Sequence, residues 1–149
     1  GGKIKQLNVN DLVVQSLTSE LKGVGALNWA DRSTLLFSWT KQGEQDGDMI
    51  KHYRALEDRW SYFRNNSQVY ALDTKTQALQ QLTSGSASVS LRSVHAQGER
   101  ILVSQQVIDY SEPAHSLTKL QELNIKTGEQ LDLGEYRTLG DASYVGDAI

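Results

Sequence analysis

At 149 residues, with 38% hydrophobic and 22% charged side chains, the chain has the size and composition of one folded domain and excludes a wholly disordered polymer. A formal net charge of −3, with no cluster of Lys and Arg, argues against a nucleic-acid partner, because phosphate neutralisation needs concentrated positive charge. With no cysteine, disulfides, thiolate nucleophiles and Cys-based zinc sites are excluded, and no apolar run reaches the ~18 residues of a membrane span.

The amino-terminal "GGKIKQLNVN" lacks the apolar core of a signal peptide, and the compartment stays open between cytoplasm and periplasm. "DLVVQSLTSELKG" (11–23) has apolar residues at Leu12, Val13, Leu17 and Leu21, and Gly23 follows as a stop. That pattern reads as a helix, or equally as an irregular connection. Strands dominate from there. "VGALNWA" (24–30) and "TLLFSWT" (34–40) flank the polar turn "DRS", and "SQVYALD" (67–73) precedes "ALQQLT" (78–83). "SVSLRSVHA" (88–96) precedes "RILVSQQVID" (100–109), and "LTKLQELNI" (117–125) precedes "EQLDLG" (129–134). Short β-prone runs cut by turn residues are the all-β signal. In 117–125 the leucines keep helical spacing, and the strand assignment rests on the repeat partner of that segment.

The repeat is explicit in two phrases, "LDTKTQALQQLTSG" (72–85) and "LNIKTGEQLDLGEY" (123–136), in which Leu72, Lys75, Thr76 and Leu82 match Leu123, Lys126, Thr127 and Leu133 at an offset of 51 residues. "ADRSTLLF" (30–37) matches "AQGERILV" (96–103) at an offset of 66. The first unit therefore carries 15 extra residues, placed in the polar and aromatic insertion 41–66. Four strands per unit at this period predict a fragment of a β-propeller, with about two four-stranded antiparallel blades at 24–83 and 88–134. Blades stack because a four-stranded sheet cannot cover its own faces. The head 2–8 and the tail 142–149 are expected as edge strands of neighbouring blades. Closed propellers have about 4–8 blades, so the chain reads as a piece of a longer assembly. Its open apolar faces should meet the remainder of the propeller or drive self-association.

Few residues suggest chemistry. The three histidines are His52, His95 and His115, and no G-x-S-x-G elbow is present. "SGSAS" (84–88) leads into a strand and reads as a linker between units, not as a nucleophile turn. "GEQDGD" (43–48) fails the calcium-loop pattern and reads as a solvated loop, and no metal or cofactor is expected. "DYSEP" (109–113), with Asp109 and Glu112 before the only proline, reads as a loop between the second and third strands of its unit, with a Pro-marked turn. The stretch 51–64 interleaves arginines with aromatics. Arg54, Arg59, Trp60, Tyr62 and Arg64 are the candidate recognition or interface residues, because stacked Arg and aromatic side chains dominate binding energetics. Packing of these aromatics over a blade edge is the alternative. Trp29 and Trp39 are expected in the core or between blades.

"SQVYALDTKTQALQQLTSG" (67–85), its lead-in "YRALEDRWSYFRNN" (53–66) and "WADRSTLLF" (29–37) resemble phrases of the amino-terminal propeller of prolyl oligopeptidase-type serine peptidases, the dipeptidyl-peptidase and acylaminoacyl-peptidase branches included. "WADRST" lacks the Pro and Gly of the usual turn, and Gln77 stands where Gly is usual. The resemblance implies a non-catalytic propeller segment that gates and positions peptide substrate for a carboxy-terminal α/β-hydrolase domain outside this chain. TolB-type propellers share the D-x-x-T-G phrase, so a protein-binding propeller without a hydrolase is the alternative, and an unrelated small β-domain acting in interaction is a third.

Overall fold

The computed structural model describes residues 2–40, 66–85, 87–106 and 116–149. Among them every regular element is a strand. Strands β1 (Lys5–Leu7) and β2 (Val14–Ser16) form a hairpin. Strands β3 (Val24–Trp29), β4 (Thr34–Thr40), β5 (Ser67–Asp73) and β6 (Leu79–Gln81) form one four-stranded sheet in sequence order. Strands β7 (Ser88–Val94), β8 (Arg100–Gln106), β9 (Thr118–Asn124) and β10 (Gln130–Tyr136) form a second. All pairs are antiparallel.

The burial pattern explains the layering. In β4, Leu35, Leu36 and Phe37 are all buried, as are Val69, Tyr70, Ala71 and Leu72 in β5, so this sheet is covered on both faces. Alternate side chains divide between two cores. Leu36, Val69 and Ala71 meet Val89, Leu91, Ile101, Val103 and Leu123 of the second sheet. Leu35, Phe37, Tyr70 and Leu72 meet Ile4 and Leu17 of the hairpin. The first sheet is thus the middle layer of three. Phe37 and Tyr70 stack with ring centroids 6.0 Å apart, and Trp39 meets Tyr70 edge-on at 5.1 Å.

The repeat extends further than the two phrases. Lys5, Gln6 and Leu7 pair with Ser16, Gln15 and Val14. Tyr70, Ala71 and Leu72 pair with Gln81, Gln80 and Leu79. Gln121, Glu122 and Leu123 pair with Asp132, Leu131 and Gln130. The three registers coincide, 65 and then 51 residues apart. The turns coincide too. The amides of Asn8, Asp73 and Asn124 each donate to the carbonyl five residues on, all at 2.9 Å. The side chains of the same three residues accept from the backbone two residues ahead, as Asx turns do. Leu12, Gln77 and Gly128 hold the same left-handed position, with φ of 58°, 59° and 76°. Hairpin β1–β2 therefore corresponds in register and turn to the third and fourth strands of each four-stranded sheet.

Several expectations need correcting. Residues 11–23 form no helix. The apolar run Leu12, Val13, Val14 crosses a turn and enters β2, and Leu17 alone of the four periodic positions is fully enclosed. Trp29 is not in a core but 49% exposed on edge strand β3, whereas Trp39 is packed and donates from Nε1 to the Lys22 carbonyl at 2.9 Å. The head supplies β1, paired with β2 of the same chain. The tail 142–149 contributes a single bridge between Val145 and Ala148 and no strand. The segment 84–88 does lead directly into β7, as a linker should, with Gln68 Nε2 donating to the Ala87 carbonyl at 2.9 Å.

Candidate functional site

The recognition residues named from the sequence, Arg54, Arg59, Trp60, Tyr62 and Arg64, lie outside the described residues. So do His52, His115 and the stretches 43–48 and 109–113. Among the described residues, the densest grouping of polar chemistry surrounds His95, at the end of β7.

This grouping is built where the second sheet presents its outer face. In β8 the alternation that sends Ile101 and Val103 inward sends Arg100 outward, and in β9 the same alternation places Glu122 outward beside Leu123. The carboxy-terminal segment folds back across that face. Tyr144 donates its hydroxyl to Glu122 Oε2 at 2.8 Å, and its amide donates to Ser93 Oγ at 3.3 Å. Its ring meets His95 edge-on at 4.9 Å, and the Arg100 guanidinium lies 5.9 Å from its centroid. Arg100 Nη1 also donates to Glu122 Oε2 at 3.4 Å, and Nη2 donates to Asp147 Oδ1 at 3.2 Å.

His95 is buried, and both ring nitrogens are engaged. The Gln97 amide donates to Nδ1 at 3.3 Å, and Nε2 lies 3.1 Å from Arg100 Nη2. Nε2 also lies 2.9 Å from Asp147 Oδ1. With both ring nitrogens engaged within the protein, the contact between His95 and Asp147 fastens the tail to the end of β7. Its parts contribute unequally. The Asp147 side chain is 85% exposed, so its ion pair with Arg100 contributes about 0–1 kcal/mol. Glu122 is only 13% exposed, and a hydrogen bond to a charged group there contributes about 1.5–3 kcal/mol. Burial, then the bond to Glu122, pushes the Tyr144 phenol well above its ordinary range, so it stays a donor. The cluster is a clasp that holds the tail to the second sheet. No group of three or more metal-ligating side chains is present among the described residues, and no helix there is long and apolar enough to cross a membrane.

Two surface depressions flank the hairpin. One, of about 640 Å³, runs beside β1 and over β3; Ile4, Leu21, Val24 and Leu27 line it together with Lys3, Lys5 and Lys22. The other, of about 360 Å³, lies between β2 and β6 and is lined by Leu17, Leu72 and Leu79 among hydroxyl side chains. No single motif points to the first. The signal that reveals it is the third copy of the turn phrase, "LNVNDLVVQSLTS" (7–19). Leu7-Asn8 there matches Leu123-Asn124, and Leu17-Thr18 matches Leu82-Thr83.

No protein-family model matches the chain, and no curated protein matches it.

Proposed function

We propose that the chain is part of a β-propeller and serves as the non-catalytic shell of a prolyl oligopeptidase-type serine peptidase. It limits access and positions peptide for a hydrolase domain carried elsewhere in the polypeptide. The observation that carries the propeller reading is the threefold recurrence of register and turn. Three consecutive units stack in one direction, each presenting its next face to the following sheet. Stacking of this kind covers apolar faces that one four-stranded sheet leaves bare. Kinship with the peptidases rests on the phrases at 29–37 and 53–85. In this role the clasp at His95 and Tyr144 begins the next unit by laying the chain across the outer face of the second sheet.

An antibody against this chain, used on the cells that make it, tests the reading. It should capture a polypeptide that is much longer and is labelled by a fluorophosphonate serine probe. Capture of a long polypeptide that stays unlabelled would replace the peptidase reading with a TolB-like binding propeller. Capture of a product no longer than this chain would remove both.

A further inference from the structure

We propose that Arg92 recognises the carboxylate of a peptide, held ready by Ser104 on the side where the first strands of the units converge. The inference rests on the propeller reading, and it names the chemical class of peptide that the shell receives.

The converging side follows from the packing. β7 lies against β3, β4 and β5, so the two sheets draw together at their first strands. Propeller blades surround a central channel, and the converging side is the one that faces it. Both first strands carry a bulge at the same level. In β3 the register skips between Gly25 and Asn28, and in β7 it skips between Leu91 and Ser93. Leu27 and Arg92, 65 residues apart, are the matching extra residues of the two bulges. A bulge takes a residue out of the ladder and re-aims its side chain.

The bulge in β7 is fixed from two directions. The Leu91 amide donates to Ser38 Oγ of the first sheet at 3.0 Å, in a buried bond. Arg92 Nε donates to Ser104 Oγ at 2.7 Å, and Ser104 is only 4% exposed. Ser38 and Ser104 hold matching places in β4 and β8, 66 residues apart. One hydroxyl ties the bulge to the neighbouring sheet, and the other ties its side chain to its own sheet.

That geometry selects the ligand. Arg92 is exposed. With Nε engaged by Ser104, the guanidinium meets a ligand through Nη1 and Nη2, an end-on fork that matches the two oxygens of a carboxylate. Ser90, paired with Ser104, is also exposed and adds a hydroxyl on the same face. A following unit does not close the place. Leu27 occupies the same position in the first sheet and is 53% exposed, although the complete second sheet follows it. Anchoring a long side chain beforehand lowers the ordering cost of binding.

The test titrates the isotope-labelled chain with three peptides: acetyl-trialanine as the free acid, its amide, and the amide with glutamate at the central position. At least one of the two carboxylate peptides should shift the Arg92 Nε–H resonance saturably, and the uncharged amide should not. Response to the free acid alone assigns the site to a peptide carboxyl terminus, and response to the glutamate peptide extends it to acidic side chains. R92Q should weaken binding about tenfold or more. R92K keeps the charge, loses the fork and should not restore it. Ser104→Ala should weaken binding with Arg92 still present, and Ser104→Thr, which keeps the hydroxyl, should restore it. Equal shifts with acid and amide, no shift at Arg92, or unchanged binding by R92Q or Ser104→Ala would overturn the proposal. Fluorophosphonate labelling of the natural polypeptide separates the two readings. Labelling without a response at Arg92 removes this site alone, and a response without labelling removes the peptidase alone.

Discussion

A single side chain organises each turn of the repeat. Asp73 accepts from the amides of Lys75 and Thr76 at 2.8 and 2.9 Å, and Asn124 accepts from Lys126 and Thr127 in the same way. The two amide bonds, Thr76 first, hold the Asp73 carboxyl below its ordinary value. The Ser33 and Thr34 amides do the same to Asp31, with Ser33 the larger cause. A carboxyl depressed in the folded state adds stability that is complete above its unfolded pKa of about 3.9 and is lost as pH falls through the folded value. Asp73→Asn should therefore leave the melting temperature at neutral pH unchanged, because Asn8 and Asn124 already perform this role. It should also flatten the loss of stability below pH ~4. Asp73→Ala should lower the melting temperature at neutral pH as well. Thermal melts of the three proteins across the acid range check both outcomes.

At the scale of elements, the fold depends on how closely successive units approach. The turn between β7 and β8 comes against the turn between β3 and β4 at one glycine. Gly98 has φ of +74°, and a Cβ there would sit 2.0 Å from the Ala30 carbonyl oxygen. Both facts oppose a side chain, one through backbone conformation and one through contact with main-chain atoms that cannot swing aside. Gly98→Ala should cost at least about 2 kcal/mol, read as a lowered denaturation midpoint with unchanged slope. Gly128 is the control. It also has a positive φ, of +76°, but open space around its Cβ. Its alanine variant should lose less, since Gln77 and Leu12 already occupy the equivalent position. The turns also differ in length by one residue. Strand β7 follows β3 at an offset of 65, whereas β8 follows β4 at 66, and Gly98 lies in the longer turn. The sequence match of 30–37 with 96–103, at 66, aligned the second strands correctly.

At the scale of the whole molecule, the layers are unequally finished. The middle sheet is covered on both faces, the second sheet is clasped by the tail, and the hairpin covers only part of β3. Leu27 and Trp29 of β3 are left about half exposed. A longer chain, in which a copy of residues 24–40 precedes Lys3 through a flexible linker, would offer the hairpin two further strands. It should melt higher, by about 2–4 °C for each kcal/mol gained. Protection of the Lys5 amide from hydrogen exchange should accompany the rise. A longer chain that melts no higher, with the Lys5 amide unprotected, would show that the first unit is complete as it stands.

Local pattern determined the all-β class, the eight strands of the two sheets and the matching turns, because strand periodicity and Asx-turn chemistry act within a few residues. The strand assignment of β9 against its helical leucine spacing also came from sequence, through its repeat partner. Other features were decided only by the tertiary structure. The apolar run 12–17 reads equally as one face of a helix, and it became a turn and strand because β1 lies beside it and the first sheet receives Leu17. Trp29 looks like a core residue in one dimension and is half exposed in three, since β3 is an edge strand of its sheet. The cluster of His95, Arg100, Glu122, Tyr144 and Asp147 joins residues up to 52 positions apart. Nothing in their spacing announces it, because the stacking of layers and the path of the tail bring them together.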